Sequence, residues 1–156
     1  MGTSDREGRL PAGMQALGFG GLIPFVAAAF AMVLLPEGGS RDLAGRILVG
    51  YGAVILSFLG GVHWGLVLRD RPPDASRPLV MGVLPSLAGW ATLLLPFEQA
   101  VAAQVACFGG FWLYEHRVLD AAVLPAPYLV LRRWLTLVVC AALALTLMSP
   151  ALRPAG

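Results

Sequence analysis

Five long apolar runs divide the chain, each close to the ~20 residues that an α-helix needs to cross the hydrocarbon core of a bilayer. They cover residues 13–35, 44–68, 78–95, 99–117 and 128–149. The first is closed by Pro36-Glu37-Gly38-Gly39, the second by Arg69-Asp70-Arg71-Pro72-Pro73, and the third by the tight Pro96-Phe97-Glu98 turn. Backbone polar groups in lipid must be satisfied within the chain, so runs this long with so little charge predict an all-α, polytopic membrane bundle of about five helices. Short loops between the runs suit antiparallel neighbours, and so a single integral-membrane domain over residues 1–156.

Composition agrees. Hydrophobic residues make up 58% of the chain and charged residues only 13%, well outside the range of water-soluble domains. A net charge of +2, from 11 basic and 9 acidic residues, supplies no footprint for nucleic acid. Every basic residue is Arg, and Gly and Pro are abundant, a composition expected of a high-GC bacterial genome. Cys107 and Cys140 stand in apolar runs without a CxxC pair or a His at ligand spacing, so they read as thiols packed as small hydrophobes, with no metal site.

Orientation follows from arginine, because short basic loops stay on the cytoplasmic side. With five spans, one face holds Arg6, Arg9, Arg69, Arg71, Arg77, Arg117, Arg132 and Arg133, and the other holds Arg41, Arg46 and Arg153. This predicts a bacterial inner-membrane protein with a cytoplasmic N-terminus. The charged start and the small-residue string Ala27-Ala28-Ala29-Phe30-Ala31 also resemble a secretory signal, although the run exceeds the usual apolar core of about 7–15 residues.

Apolar side chains gain little from leaving lipid, so small residues that let backbones approach are what associate membrane helices. In the second run Ala53, Ser57, Gly61 and Gly65 recur every four residues and form a small-residue ridge. Ala102, Ala106 and Gly110 in the fourth run offer a matching ridge, as do Gly82 and Ser86 in the third, and these ridges are expected to face one another. Pro24 and Pro85 fall inside the first and third runs, where each removes a donor and predicts a kink.

Ionisable groups within a membrane are costly and mark sites by default. His63 lies about 7–8 Å from the end of the second run, at 1.5 Å per residue. It stands about 160° around the helix from Gly61, among Gly52, Leu56, Leu59 and Leu66. Glu115, His116 and Arg117 close the fourth run on the same side, where Arg132 and Arg133 open the fifth. The expected site is a pocket of His63, Trp64, Glu115, His116, Arg132 and Arg133, fit for an anionic lipid head group or a quinone ring. The competing reading has His63 bonded to a neighbouring helix and the other charges snorkelling to water. No Asp, Glu or Arg occupies the middle of any run; Ser57, Thr92 and Gln104 are the polar groups there. No Walker loop, His-Glu-x-x-His helix or Gly-x-Ser-x-Gly elbow is present, so no catalytic residue and no cofactor is expected.

The string Tyr51-Gly52-Ala53-Val54-Ile55-Leu56-Ser57-Phe58-Leu59-Gly60-Gly61-Val62-His63-Trp64-Gly65 resembles the signature of the membrane family called domain of unknown function 3429. Gly21-Leu22-Ile23-Pro24-Phe25, Leu84-Pro85-Ser86-Leu87-Ala88-Gly89-Trp90 and residues 128–135 extend the likeness over most of the chain. The resemblance implies a several-span inner-membrane protein of bacteria or mitochondria and brings no activity with it. The expectation is a non-enzymatic bundle, an accessory or assembly partner of other membrane protein subunits, with a lipid or quinone as candidate ligand. The alternative is a small transporter or facilitator with its path between the first and third spans.

Overall fold

The computed structural model describes residues 10–70, 74–118 and 124–148. Its helices are, in order, α1 (Ala12–Gly20), α2 (Ile23–Leu34), α3 (Gly39–Asp70), α4 (Ser76–Thr92), α5 (Phe97–Val118) and α6 (Ala126–Met148). No strand occurs among the described residues. Arg6, Arg9, Arg71 and Arg153, used in the orientation argument, lie outside the described residues, as do Pro72, Pro73 and Ser149.

With α1 and α2 taken together as the first span, the helices follow the five predicted runs. Ala12–Leu34, Gly39–Asp70 and Ala126–Met148 are long and apolar enough to cross a membrane. At 17 residues α4 is about 25 Å long, and α5 carries Glu98, Gln104, Glu115 and Arg117; both pack along α3. Just before α4 the Asp74 carboxylate accepts the Ser76 backbone N–H at 3.0 Å, which holds that carboxyl below its usual pKa.

The first span is broken where a kink was expected. Gly21 N–H bonds back to the Leu17 carbonyl at 2.9 Å and Leu22 N–H to Phe19 at 3.0 Å, which closes α1. Since α2 starts at Ile23, Pro24 sits in its first turn, where a missing N–H leaves no helical carbonyl unpaired. The break is anchored from α3: Tyr51 Oη donates to the Gly21 carbonyl at 3.0 Å. Pro85, by contrast, lies inside α4 and is buried.

The core joins α2, α3, α5 and α6 through Phe25, Leu48, Leu56, Val101, Phe108 and Leu143, each almost fully buried. Phe25 meets Tyr51 and Phe108 edge to face, with ring centroids 5.0 and 5.9 Å away. Cys107 and Cys140 are half-buried free thiols at its margin.

Helix packing departs from the expected ridges. Ser57, Gly61 and Gly65 face outward, and a Cβ placed on Gly61 or Gly65 meets nothing within 4 Å. Ala102, Ala106 and Gly110 are exposed on α5 as well, so the two ridges do not meet. Ala53 alone among them is buried, where Gly89 of α4 crosses it. Close approach instead uses Gly45, Gly52 and Gly60, which share a face of α3 with Leu48, Leu56, Leu59 and His63. Gly60 lies on the Gly82 carbonyl of α4, Gly52 on the Gln104 amide of α5, and Gly45 on Phe97 and Met32. The opposite face also mixes small residues with Leu43, Ile47, Val54 and Phe58, which stay exposed; the difference is that α4 and α5 reach the α3 backbone on the face where Leu48, Leu56 and Leu59 fill the space between them.

Candidate functional site

Three helices bring a buried ion pair and a buried imidazole to one end of the bundle. His63 lies seven residues before the end of α3, Glu115 three before the end of α5, and Arg132 six after the start of α6. Their exposures are 0%, 1% and 3%. Arg132 Nε donates to Glu115 Oε2 at 2.8 Å, and Arg132 Nη1 donates to Thr136 Oγ1 one turn along α6. Thr136 returns its own hydroxyl to the Arg132 carbonyl at 2.9 Å, so the guanidinium is held from two sides.

The network is incomplete. Arg132 Nη2, Glu115 Oε1 and both ring nitrogens of His63 are buried without a hydrogen-bond partner. The Leu59 carbonyl faces His63 from one turn back, without hydrogen-bond geometry. The imidazole is fixed by rings instead: its centroid lies 5.0 Å from Phe111 and 5.9 Å from Tyr114, both on α5. Buried donors and acceptors are nearly always paired, so four open ones in one place give this centre capacity for a polar ligand atom.

Of the six residues expected in the pocket, His63, Glu115 and Arg132 come together and the other three do not. Trp64 is exposed and lies against Gly82 on the α4 side. His116 stacks on Trp112 at 5.5 Å, on the outer surface. Arg133 is exposed, 5.9 Å over the Trp134 ring. A helix cannot direct adjacent residues to one point, since each step turns about 100°. Thr136, Phe111 and Tyr114 were missed, although their spacing was the available signal: Thr136 is one turn from Arg132, and Phe111 one turn from Glu115.

A second polar junction ties the middle of the bundle. Gln104 Nε2 of α5 donates to the Val49 carbonyl of α3 at 2.7 Å and to Thr92 Oγ1 of α4 at 3.0 Å. Thr92 in turn donates to the Gly89 carbonyl at 2.7 Å. At the end opposite His63, an open cleft of ≈ 980 Å³ takes in Met32, Arg41, Arg46, Thr92, Phe97 and Glu98 among its walls. Among the described residues, no three His, Cys, Asp or Glu side chains gather as metal ligands.

A helical bundle with membrane-length apolar spans and a charged centre sealed inside it defines a polytopic α-helical membrane protein. The chain belongs to the family described as "Protein of unknown function (DUF3429)", whose profile matches residues 10–148. It is 36% identical over 117 residues to Transmembrane protein 69 of Xenopus tropicalis, covering 70% of this chain and 42% of the frog protein. Over 82 residues it is 37% identical to Transmembrane protein 69 of Mus musculus, covering 47% of this chain and 30% of that protein. The chain thus spans less than half the length of these relatives. No solved structure matches it.

Proposed function

We propose that this protein is a non-enzymatic bundle of a bacterial inner membrane, with its N-terminus cytoplasmic, that serves other membrane subunits as an accessory or assembly partner and binds a lipid or quinone between its helices. The observation carrying the ligand role is the set of unpartnered atoms on His63, Glu115 and Arg132. Open polar atoms in a low-dielectric interior are expensive, and this centre gathers four of them where the Gln104 junction leaves one, its Oε1. The accessory role draws on the small-residue faces of α3 and α5, which this chain leaves open to lipid and to any helix beside it. The non-enzymatic reading rests on the lack of a recognisable nucleophile or metal motif in the sequence. Purification in mild detergent followed by native mass spectrometry tests both parts. Partner subunits and a bound small molecule are expected, and His63→Leu should release that molecule without unfolding the bundle. A bare chain with nothing bound would overturn the reading.

The alternative of a small facilitator draws on the wide cleft, which Met32 of the first span and Thr92 of the third both line. Solute flux into proteoliposomes holding the pure chain would favour it over the accessory role.

A further inference from the structure

The end of the bundle opposite His63 is open, and its cleft of ≈ 980 Å³ takes walls from all five spans, among them Met32, Gly45, Thr92, Ala100 and Thr146. Its inner part is apolar, with Met32, Val49 and Ala100 buried. Thr92 and Thr146 add no free donor there, because their hydroxyls donate to the Gly89 and Leu143 carbonyls at 2.7 Å. Leu93, Leu95 and Leu147 are exposed and carry the apolar surface out to the rim. The cleft lies where α2, α4 and α6 end and α3 and α5 begin. In a bilayer that is the depth of the head groups.

Charge is confined to the mouth and has both signs. Arg41 is already committed: its Nε donates at 3.0 Å to the Met32 carbonyl, which Pro36 leaves without a helical N–H, and its Nη1 pairs with Glu37 at 3.5 Å. Asp42, Arg46 and Glu98 also line the cleft, are exposed, and make no ion pair among the described residues. Asp42 and Glu98 stand in the first turns of α3 and α5, where the helix dipole favours a carboxylate.

These walls select an occupant by charge and by shape. A simple anion drawn to Arg46 meets two carboxylates, and a simple cation drawn to the carboxylates meets Arg46. A molecule with one negative and one positive group a few atoms apart answers all three. Carboxylates accept hydrogen bonds, so its cation should carry N–H donors and not methyl groups. The apolar interior asks for hydrocarbon beneath those charges. The volume lies at the upper end of small-molecule sites, room for a head group, its glycerol and the first chain carbons.

We propose that this cleft seats one zwitterionic glycerophospholipid with a primary-amine head group: phosphate on Arg46, ammonium on Asp42 and Glu98, and first chain carbons among Met32, Val49 and Leu147. The site is separate from the His63, Glu115 and Arg132 centre and does not depend on a ligand there. A cleft filled in this way is closed to solute, so the assignment opposes the facilitator path drawn through it.

The test uses the full chain, delipidated in mild detergent, with thermal shift and native mass spectrometry against four probes. Three are phosphatidylethanolamine, phosphatidylcholine and phosphatidylglycerol with identical chains, and the fourth is glycerophosphoethanolamine, the head group without chains. Phosphatidylethanolamine should stabilise the protein and stay bound. The other two lipids should bind about tenfold more weakly, the size of one charge-assisted hydrogen bond, and the chainless head group should not bind. Arg46→Gln and Glu98→Gln, both at exposed positions, should each weaken phosphatidylethanolamine about tenfold while the lipid-free protein melts as before. Arg117→Gln, at the other end, should bind as the unaltered chain does. Phosphatidylglycerol binding as tightly would overturn the zwitterion, and phosphatidylcholine doing so would overturn the primary amine. Equal binding of glycerophosphoethanolamine would overturn the lipid in favour of a solute. An affinity unchanged in both cleft variants would overturn this cleft as the place, and failure of all four probes would overturn the whole assignment.

Discussion

Gly60 and Gly61 are adjacent in α3 and have opposite surroundings. A side chain on Gly60 would run into the Gly82 carbonyl of α4, which is backbone and cannot swing aside, while one on Gly61 meets open space. Gly60→Leu should therefore destabilise the protein by at least the roughly 1–3 kcal/mol typical of overpacking, and Gly61→Leu should change little in the isolated chain. Thermal unfolding of both variants in detergent checks this; equal tolerance would mean that α3 and α4 do not cross at Gly60. The Glu115 and Arg132 pair obeys a different rule. Removing one charge strands the other in the interior, so Arg132→Met or Glu115→Leu alone should cost about 3–5 kcal/mol. The double replacement should recover most of that loss, because it removes both desolvation terms. A double-mutant cycle in which the losses simply add would show that the two residues are not a pair.

At the scale of helices, the break between α1 and α2 is a joint held from outside. Tyr51 reaches it from α3, and its hydroxyl donates to the Gly21 carbonyl in that turn. Tyr51→Phe should lower stability by about 1 kcal/mol, the net worth of a typical hydrogen bond. Amide exchange should rise around residues 20–23 and stay unchanged in α6; exchange spread evenly over all helices would contradict a local joint. Gln104 has the same kind of role at a three-helix junction, binding α3 and α4 from α5. Gln104→Leu should loosen the contacts of α5 with both, by an amount near the ~0.6 kcal/mol average of membrane hydrogen bonds. A loss several-fold larger would mark a network whose members depend on one another.

Over the whole molecule, the two ends of the bundle differ. One end holds the sealed His63, Glu115 and Arg132 centre, and the other holds the open cleft around Arg41, Arg46 and Glu98. In the orientation proposed from the arginine bias, the sealed end faces the cytoplasm. Reporter fusions after Leu35, Leu68, Leu95, Arg117 and the C-terminus should then read out, in, out, in, out. A periplasmic signal after Leu68 would invert the molecule and put the buried ion pair near the outer surface.

The positions of the helices, three of them long and apolar enough to cross a membrane, were legible in the sequence because hydrocarbon thickness imposes a length, and lipid excludes charge, without reference to any neighbour. The same local physics marked His63, Glu115 and Arg132 as worth attention, since an ionisable group within a span is conspicuous wherever it points. The direction of a helix face is another matter. Two small-residue faces are written into α3, one through Gly61 and Gly65 and one through Gly52 and Gly60, and the periodicity of one helix cannot say which will meet a partner. That choice fell to the tertiary structure, where α4 and α5 had to reach the α3 backbone while Leu48, Leu56 and Leu59 filled the space between them. It also decided which arginine went inside: Arg132 and Arg133 are chemically alike, and a single turn of about 100° separates an ion pair in the core from a side chain at the surface.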